Sequence, residues 1–422
     1  MQTKHLAIAM AGALAHILAQ ADNGFFQVGY GAEARGVGGA SAAVTREVLG
    51  GASNPATIIW IDGAGERLEA GMAIIQGRTR MSRSTAAAPL LDTYTDSERA
   101  FEPVGEFAYG TLISPAMSVS VVAYANGAST FLPDSTTACP GTLGNAMCGG
   151  GRTGVSIRQL IVAPSVSMKV APDVSLGASL LLVGQLFKAE GVQMLAASSQ
   201  SPGRVSNQGT ATAHGLGLRL GAYWRASEQL GLGASWSPRV RMSEFGKYRG
   251  LLADAGRFDV PENYLIGLSL AATPQLSLLA DYQRINYKGV AALANRPFDG
   301  GNPFGSAGGA GNGWENMNVY KGGVRYQATP RLHLSAGLSY NTAAFASAST
   351  SANINSPSTF RRHYTLGAGY AGGGAQWSAY YLYAPQETRS GPSALAAAMG
   401  SSGRESIGTR QQIIGLQYSH DY

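Results

Sequence analysis

A chain of 422 residues is long enough for two or three soluble domains or for one large barrel. Only 13% of it is charged, against about 25% in soluble proteins, while 57 residues are glycine, roughly twice the usual share of about 7%. That balance argues against an ordinary soluble domain, and the formal net charge of +6, spread without a basic run, gives no nucleic-acid surface and at most a weak attraction to anionic lipopolysaccharide or substrate.

In chain order, Lys4 and His5 precede an apolar stretch from Leu6 to Leu18, and Ala19-Gln20-Ala21 precedes Asp22. This predicts a secretory signal peptide over residues 1–21. No later segment reaches the roughly 20 apolar residues of a membrane-spanning helix. Residues 22–66 show no strand alternation; small residues surround Phe25, Phe26, Tyr30 and Trp60. Low charge and isolated aromatics predict a folded plug with short helices rather than a disordered tail. Within it, Asn54-Pro55 is a turn former that cannot sit in a central strand.

From residue 67 to 422 the sequence falls into paired strand-length segments, with short turns alternating with long Gly/Ser/Asn-rich loops. In "NVYKGGVRYQATPRLHLSAGLSYNT", Leu332, Leu334, Ala336, Leu338 and Tyr340 alternate with polar neighbours, and Tyr320, Val324 and Tyr326 alternate with Lys321, Arg325 and Gln327. Proline recurs at the reversals, where its missing N–H costs little. Cys139 and Cys148, with Pro140, Gly141 and Gly144 between them, predict a loop-closing disulfide; a metal pair is the rival, without a histidine nearby. In the final segment Ile414, Leu416, Tyr418, His420 and Tyr422 share one face, so the chain ends on an outward aromatic. The fold class is therefore all-β: a transmembrane antiparallel up-and-down barrel of about fourteen strands in the outer membrane, closed because lipid tolerates no unpaired edge.

The stretch "NGFFQVGYGAEARGVGGASAAVTREVLGGASNPA" resembles the N-terminal hatch of the FadL/TodX family, outer-membrane transporters of long-chain fatty acids and other hydrophobic compounds. The matching features are Gly24-Phe25, the small-residue run from Gly36 to Ala43, and Asn54-Pro55-Ala56. "FDVPENYLIGLSLAATPQLSLLADYQRINY" and "WENMNVYKGGVRYQATPRLHLSAGLSYN" resemble its C-terminal half. The resemblance implies a monomeric barrel plugged by the hatch. External loops would capture an apolar ligand, an internal pocket would hold it, and hatch movement with an opening near an inward kink of the third strand would release it into the membrane. It also implies that the strand ending in Tyr422 meets the barrel-assembly machinery.

On that reading Gly24, Phe25 and Phe26 reach the ligand pocket or simply pack the plug. Asn126-Gly127, ending "SVSVVAYANG", marks the wall kink or a plain strand end. Lys321, Arg325 and Arg331 meet a ligand carboxylate or pair with lumenal acids such as Asp281. "GVQMLAASSQSPG" and "FGKYRGLLADAGRFDVP" are the most apolar external loops and the expected capture surfaces. No catalytic group is expected: His214, His333, His363 and His420 lie in no short Ser or Asp motif. No metal or cofactor is called for, since neither Gly29-Tyr30-Gly31 nor the Gly305 to Gly313 stretch has the strand-to-helix setting that nucleotide binding needs. A general diffusion porin and a non-transport adhesin or structural barrel are the alternative functions.

Overall fold

Apolar residues at period two give long strands with one face for lipid and one for the lumen. The structure, a computed structural model, describes residues 23–61, 65–88, 91–97, 100–139, 142–297 and 302–422. The expected signal peptide and the Cys139 side chain lie outside the described residues; Cys148 is disulfide-bonded.

Fourteen antiparallel strands follow one another in chain order: β1 (Glu66–Thr85), β2 (Ala100–Ser114), β3 (Met117–Leu132), β4 (Thr153–Ala171), β5 (Val174–Glu190), β6 (Ala211–Arg225), β7 (Leu230–Ser237), β8 (Asn263–Ala271), β9 (Leu276–Ile285), β10 (Met317–Gln327), β11 (Leu332–Asn341), β12 (Arg362–Gly372), β13 (Ala375–Pro392) and β14 (Gly403–Asp421). β14 returns to β1, from Arg67 opposite Asp421 to Thr85 opposite Gly403, and closes the barrel. Short turns hold Pro115, Pro172, Pro274 and Pro330 at one rim, which the equally short connections 226–229 and 373–374 share; every other connection between barrel strands is longer. The short-turn rim is the periplasmic one. A four-residue strand, Thr93–Asp96, adds to the external end of β1.

Met72, Ile74, Leu216, Ile266, Leu366 and Ile414 project outward and are exposed, as a lipid-facing band requires. Aromatics border it: Tyr282, Tyr320 and Tyr340 stand in register near the external rim, and Trp224, Tyr326, Tyr370, Trp377 and Tyr418 near the periplasmic one. The chain ends on exposed Tyr422.

Residues 23–60 lie inside the ring and are almost wholly buried. They form one short helix, α1 (Ala32–Gly36), and two 3-10 turns, Val48–Ala52 and Pro55–Trp60. Little of this segment makes regular hydrogen bonds, so its backbone N–H groups need other partners. Carboxylates supply them. Glu106 of β2 accepts from Gly31, Glu69 of β1 from Leu49, and Asp281 of β9 from Ser41 and Ala42 at 2.6 and 2.9 Å. Glu47, within the segment, accepts from Glu33 and Ala34. Burial, then the charges of Glu69 and Glu33, push the Glu47 carboxyl well above its ordinary range.

Candidate functional site

Beneath the external loops lies a cavity of about 130 Å3. Gly24 and Phe25 face it from the plug; Val155, Ile157 and Phe187 face it from β4 and β5; Phe258, Leu293, Trp314 and Phe360 come from loops. The Phe25 ring stacks on Trp314 with centroids 5.0 Å apart and meets Phe258 edge-on at 5.2 Å. Tyr287 stands edge-on to Trp314 at 5.0 Å; its hydroxyl accepts from the Phe25 N–H at 2.9 Å and donates to the Asn23 carbonyl at 2.5 Å. Gly24, at φ +73°, is in the left-handed region, and a Cβ there would lie 2.6 Å from Tyr287 Cζ and 2.9 Å from Trp314 Cζ3. Only glycine fits this approach without strain. Phe26 instead borders a small cleft beside Arg219 and Lys321. Both loops expected to capture ligand contribute to the cavity, through Val192 and Leu195 from one and Leu251, Leu252 and Phe258 from the other.

The wall beside this chamber is incomplete. β2 and β3 pair from Ser114 opposite Met117 to Phe107 opposite Ala123, and there the pairing ends. β2 continues beside β1 alone to Ala100, and β3 continues beside β4 alone to Leu132. At the parting point the alternation of β3 breaks, with Tyr124, Ala125, Asn126 and Gly127 all buried. Gly127 has φ +146° and donates its N–H inward to the Phe25 carbonyl at 3.1 Å. Asn126 Oδ1 accepts from the Tyr30 hydroxyl at 2.7 Å. Ala128, Ser129 and Thr130, just beyond, face the chamber. β3 therefore leaves β2, bends onto the plug and borders the cavity.

The Asn54-Pro55-Ala56 turn sits toward the periplasmic rim, against β4 to β6. Asn54 Nδ2 donates to the carbonyls of Ala42 at 2.7 Å and Ala222 at 3.0 Å, while its Oδ1 accepts from Ala56 N–H. The Ala56 carbonyl accepts from Ser167 and Ser175. Gly177 and Gly221 make room: a Cβ on Gly177 would lie 2.5 Å from Ala56 N, and one on Gly221 would lie 2.8 Å from Pro55 Cδ. Trp60 completes the clamp, donating to Ser175 at 2.7 Å between Lys169 and Arg225.

The predicted cations are not gathered at the chamber. Lys321 is buried directly across from Asp281 in the β9–β10 register, and Arg325 lies 3.4 Å from Glu33 of α1. Arg331 is exposed in the periplasmic turn before β11. Glu33 also meets His333 at 2.9 Å and accepts from Gln376 and Ser378. Burial raises the Glu33 carboxyl, but the hydrogen bond and charge of His333, then the charge of Arg325, outweigh it and hold it at about 2. Because that value is below the ordinary 4.5, Glu33 stabilises the docked plug fully above pH 4.5 and loses that contribution as the pH falls toward 2. Protection of the amides of residues 31–36, taken relative to intrinsic exchange at each pH, is expected to fall over that interval. In Glu33→Gln protection should already be low at neutral pH, the loss being about 3 kcal/mol.

Residues 18–375 match the model of the family described as outer membrane protein transport protein (OMPP1/FadL/TodX). The chain belongs to the FadL/TodX family. No curated protein matches it in sequence. Among solved structures, it is similar to the toluene transporter TbuX of Ralstonia pickettii, at 16% identity and a TM-score of 0.64 over 94% of this chain and 99% of that one. It is likewise similar to the toluene transporter TodX of P. putida, at 16% identity, 0.66, 94% and 99%, and to a Pseudomonas aeruginosa FadL homologue at 14%, 0.66, 96% and 99%. At these identities the likeness establishes the fold. FadL/TodX proteins are outer-membrane transporters of hydrophobic compounds, channels rather than enzymes.

Within this FadL/TodX barrel, Trp314 and Phe360 line the chamber and Tyr287 braces its aromatic wall, three roles absent from the sequence-based expectations. A lone tryptophan in the Gly-rich "GGAGNGWEN" stretch and a tyrosine just past the end of β9 were the available signals.

Proposed function

We propose that this FadL/TodX protein admits compact, uncharged hydrocarbons passively. Ligand enters between the loops bearing Leu195 and Leu251, rests against Phe25 and Trp314, and leaves sideways into the bilayer where β2 and β3 part. The observation that carries this reading is the apolar chamber beside the unpaired stretch of wall. Burying apolar surface provides the driving force at about 0.8 kcal/mol per CH₂, and a bilayer exit spares the ligand a return to water. The cavity's volume is close to the ~150 Å3 of an apolar cavity that accepts benzene. Among the described residues its two charged lining residues, Arg78 and Arg410, belong to outward-facing positions of β1 and β14, so the interior suits a neutral ligand better than a carboxylate.

Uptake by a deletion strain carrying this chain tests the proposal. Labelled toluene should accumulate saturably and labelled oleate weakly, and liposomes containing the protein should not swell in small sugars. Sugar-driven swelling would establish an open porin instead, and preferential oleate uptake would overturn the neutral-ligand assignment. Phe25→Ala, which removes the stack on Trp314 while leaving the strands untouched, is expected to weaken toluene binding about tenfold, or ~1.4 kcal/mol, in equilibrium binding to the purified protein.

A further inference from the structure

At the β14–β1 seam the outward face changes abruptly. Met72 stands opposite Leu416 and Ile74 opposite Ile414, both pairs apolar; the next outward pair is Gln76 with Gln412, and the next is Arg78 with Arg410. Two arginines directly across a ladder repel each other. Arg80, one outward step further along β1, adds a third guanidinium. Among the described residues the single carboxylate beside them is Asp96, which Arg78 contacts at 2.5 Å and Arg80 at 3.0 Å. Arg410 is exposed and, among the described residues, has no carboxylate within ion-pair distance. Arg78 Nε is buried without a hydrogen-bond acceptor. Among the described residues, three cations around one anion leave a surplus of positive charge and an unfilled donor.

The depth of this cluster identifies what fills it. Leu68 opposite His420 and Arg78 opposite Arg410 are ten residues apart along the strand. At about 3.3 Å per residue and a tilt near 40°, that is about 25 Å, the height of the apolar band of an outer-membrane barrel. The arginines therefore stand at the external headgroup boundary. Neighbouring strands place aromatics just below this level, with Tyr364 opposite Tyr383 and Tyr383 opposite Gln412; at the seam the tyrosines give way to glutamine and then arginine. Guanidinium forks match phosphate oxygens bidentately.

We infer that Arg78, Arg80 and Arg410 form a binding site for a phosphate of the phosphorylated disaccharide headgroup of outer-leaflet lipopolysaccharide, with the acyl chains lying along Met72, Ile74, Ile414 and Leu416. This site occupies outward-facing positions of β1 and β14 at the edge of the chamber, and its test reads lipid binding rather than uptake.

Binding of bis-phosphorylated lipid A to the purified protein in detergent, compared with the same lipid A after removal of both phosphates, tests the site. Wild type should bind the phosphorylated form at least tenfold more tightly, and Arg78→Gln/Arg410→Gln should bind the two forms equally, with inorganic phosphate failing to compete. Equal binding of both lipids by wild type, or a preference retained in the double variant, overturns the proposal. Full competition by inorganic phosphate replaces the lipid site with a free-anion site. Heat-modifiable migration reports folding; if the double variant does not fold, the wild-type comparison and Arg410→Gln alone decide.

Discussion

Gly127→Val is expected to reduce hydrocarbon uptake at least about tenfold, equivalent to 1.4 kcal/mol, while the barrel still folds. Gly127 holds φ +146°, a conformation a β-branched residue does not adopt without strain, and a Cβ there would lie 3.0 Å from Arg158 Cα in the facing strand. Valine drives the strand back toward ordinary extended geometry. That movement withdraws the N–H from the Phe25 carbonyl and lets β3 resume its ladder with β2, closing the gap beside the chamber. Uptake is measured in a deletion strain, with heat-modifiable migration as the folding control. Gly105→Cys combined with Ala125→Cys approaches the same question separately, because continuing the observed register would bring these positions together. Oxidation should block uptake and reductant restore it, with wild type under reductant controlling for the native disulfide. Full uptake by the cross-linked protein would exclude the lateral route.

Asn54→Ala should release the periplasmic end of the hatch without unfolding the barrel. The substitution strips donors from two carbonyls, of Ala42 and Ala222, and removes the acceptor that caps the Pro55–Trp60 turn at Ala56. At about 1 kcal/mol per lost bond, the cost is about 3 kcal/mol, or a rise of roughly a hundredfold in local opening. Hydrogen exchange across residues 40–60 reads that rise, and uptake should change with it. Unaltered exchange would reduce Asn-Pro-Ala to a passive turn. Pro55→Ala, acting mainly through the freedom of the undocked chain, should cost less, about 0.5–1 kcal/mol.

The barrel was readable because its signals are local. Period-two alternation, proline at the reversals and the outward face ending at Tyr422 each need only a few neighbouring residues. The chamber was not readable in the same way. Phe25 meets Trp314 and Phe258 across most of the chain, and no spacing within either loop announces that contact. Lys321 and Arg325 sat on the correct face by alternation, but only strand register and hatch docking bring Asp281 and Glu33 opposite them. Asn126-Gly127 left two readings open, kink or strand end. β3 runs on to Leu132, so the strand does not end there, and the turning of Gly127 toward Phe25 depends on a plug some hundred residues earlier.

Gly177 and Gly221 are two of several wall glycines pressed against the hatch backbone; Gly323 and Gly337 receive Val37 and Gly38 in the same way, on the far side of the lumen. A barrel shaped so closely to its contents is a casting around them. Emptied, it would keep hollows where no side chain can spring out to fill the space, and wholesale ejection of the hatch would take Arg35 from Glu106 and the backbone N–H donors from Glu69 and Asp281. On the proposed route the hatch therefore stays largely docked, and the space the wall leaves beside Phe25 would set a ceiling on cargo size before any pocket residue discriminates between ligands.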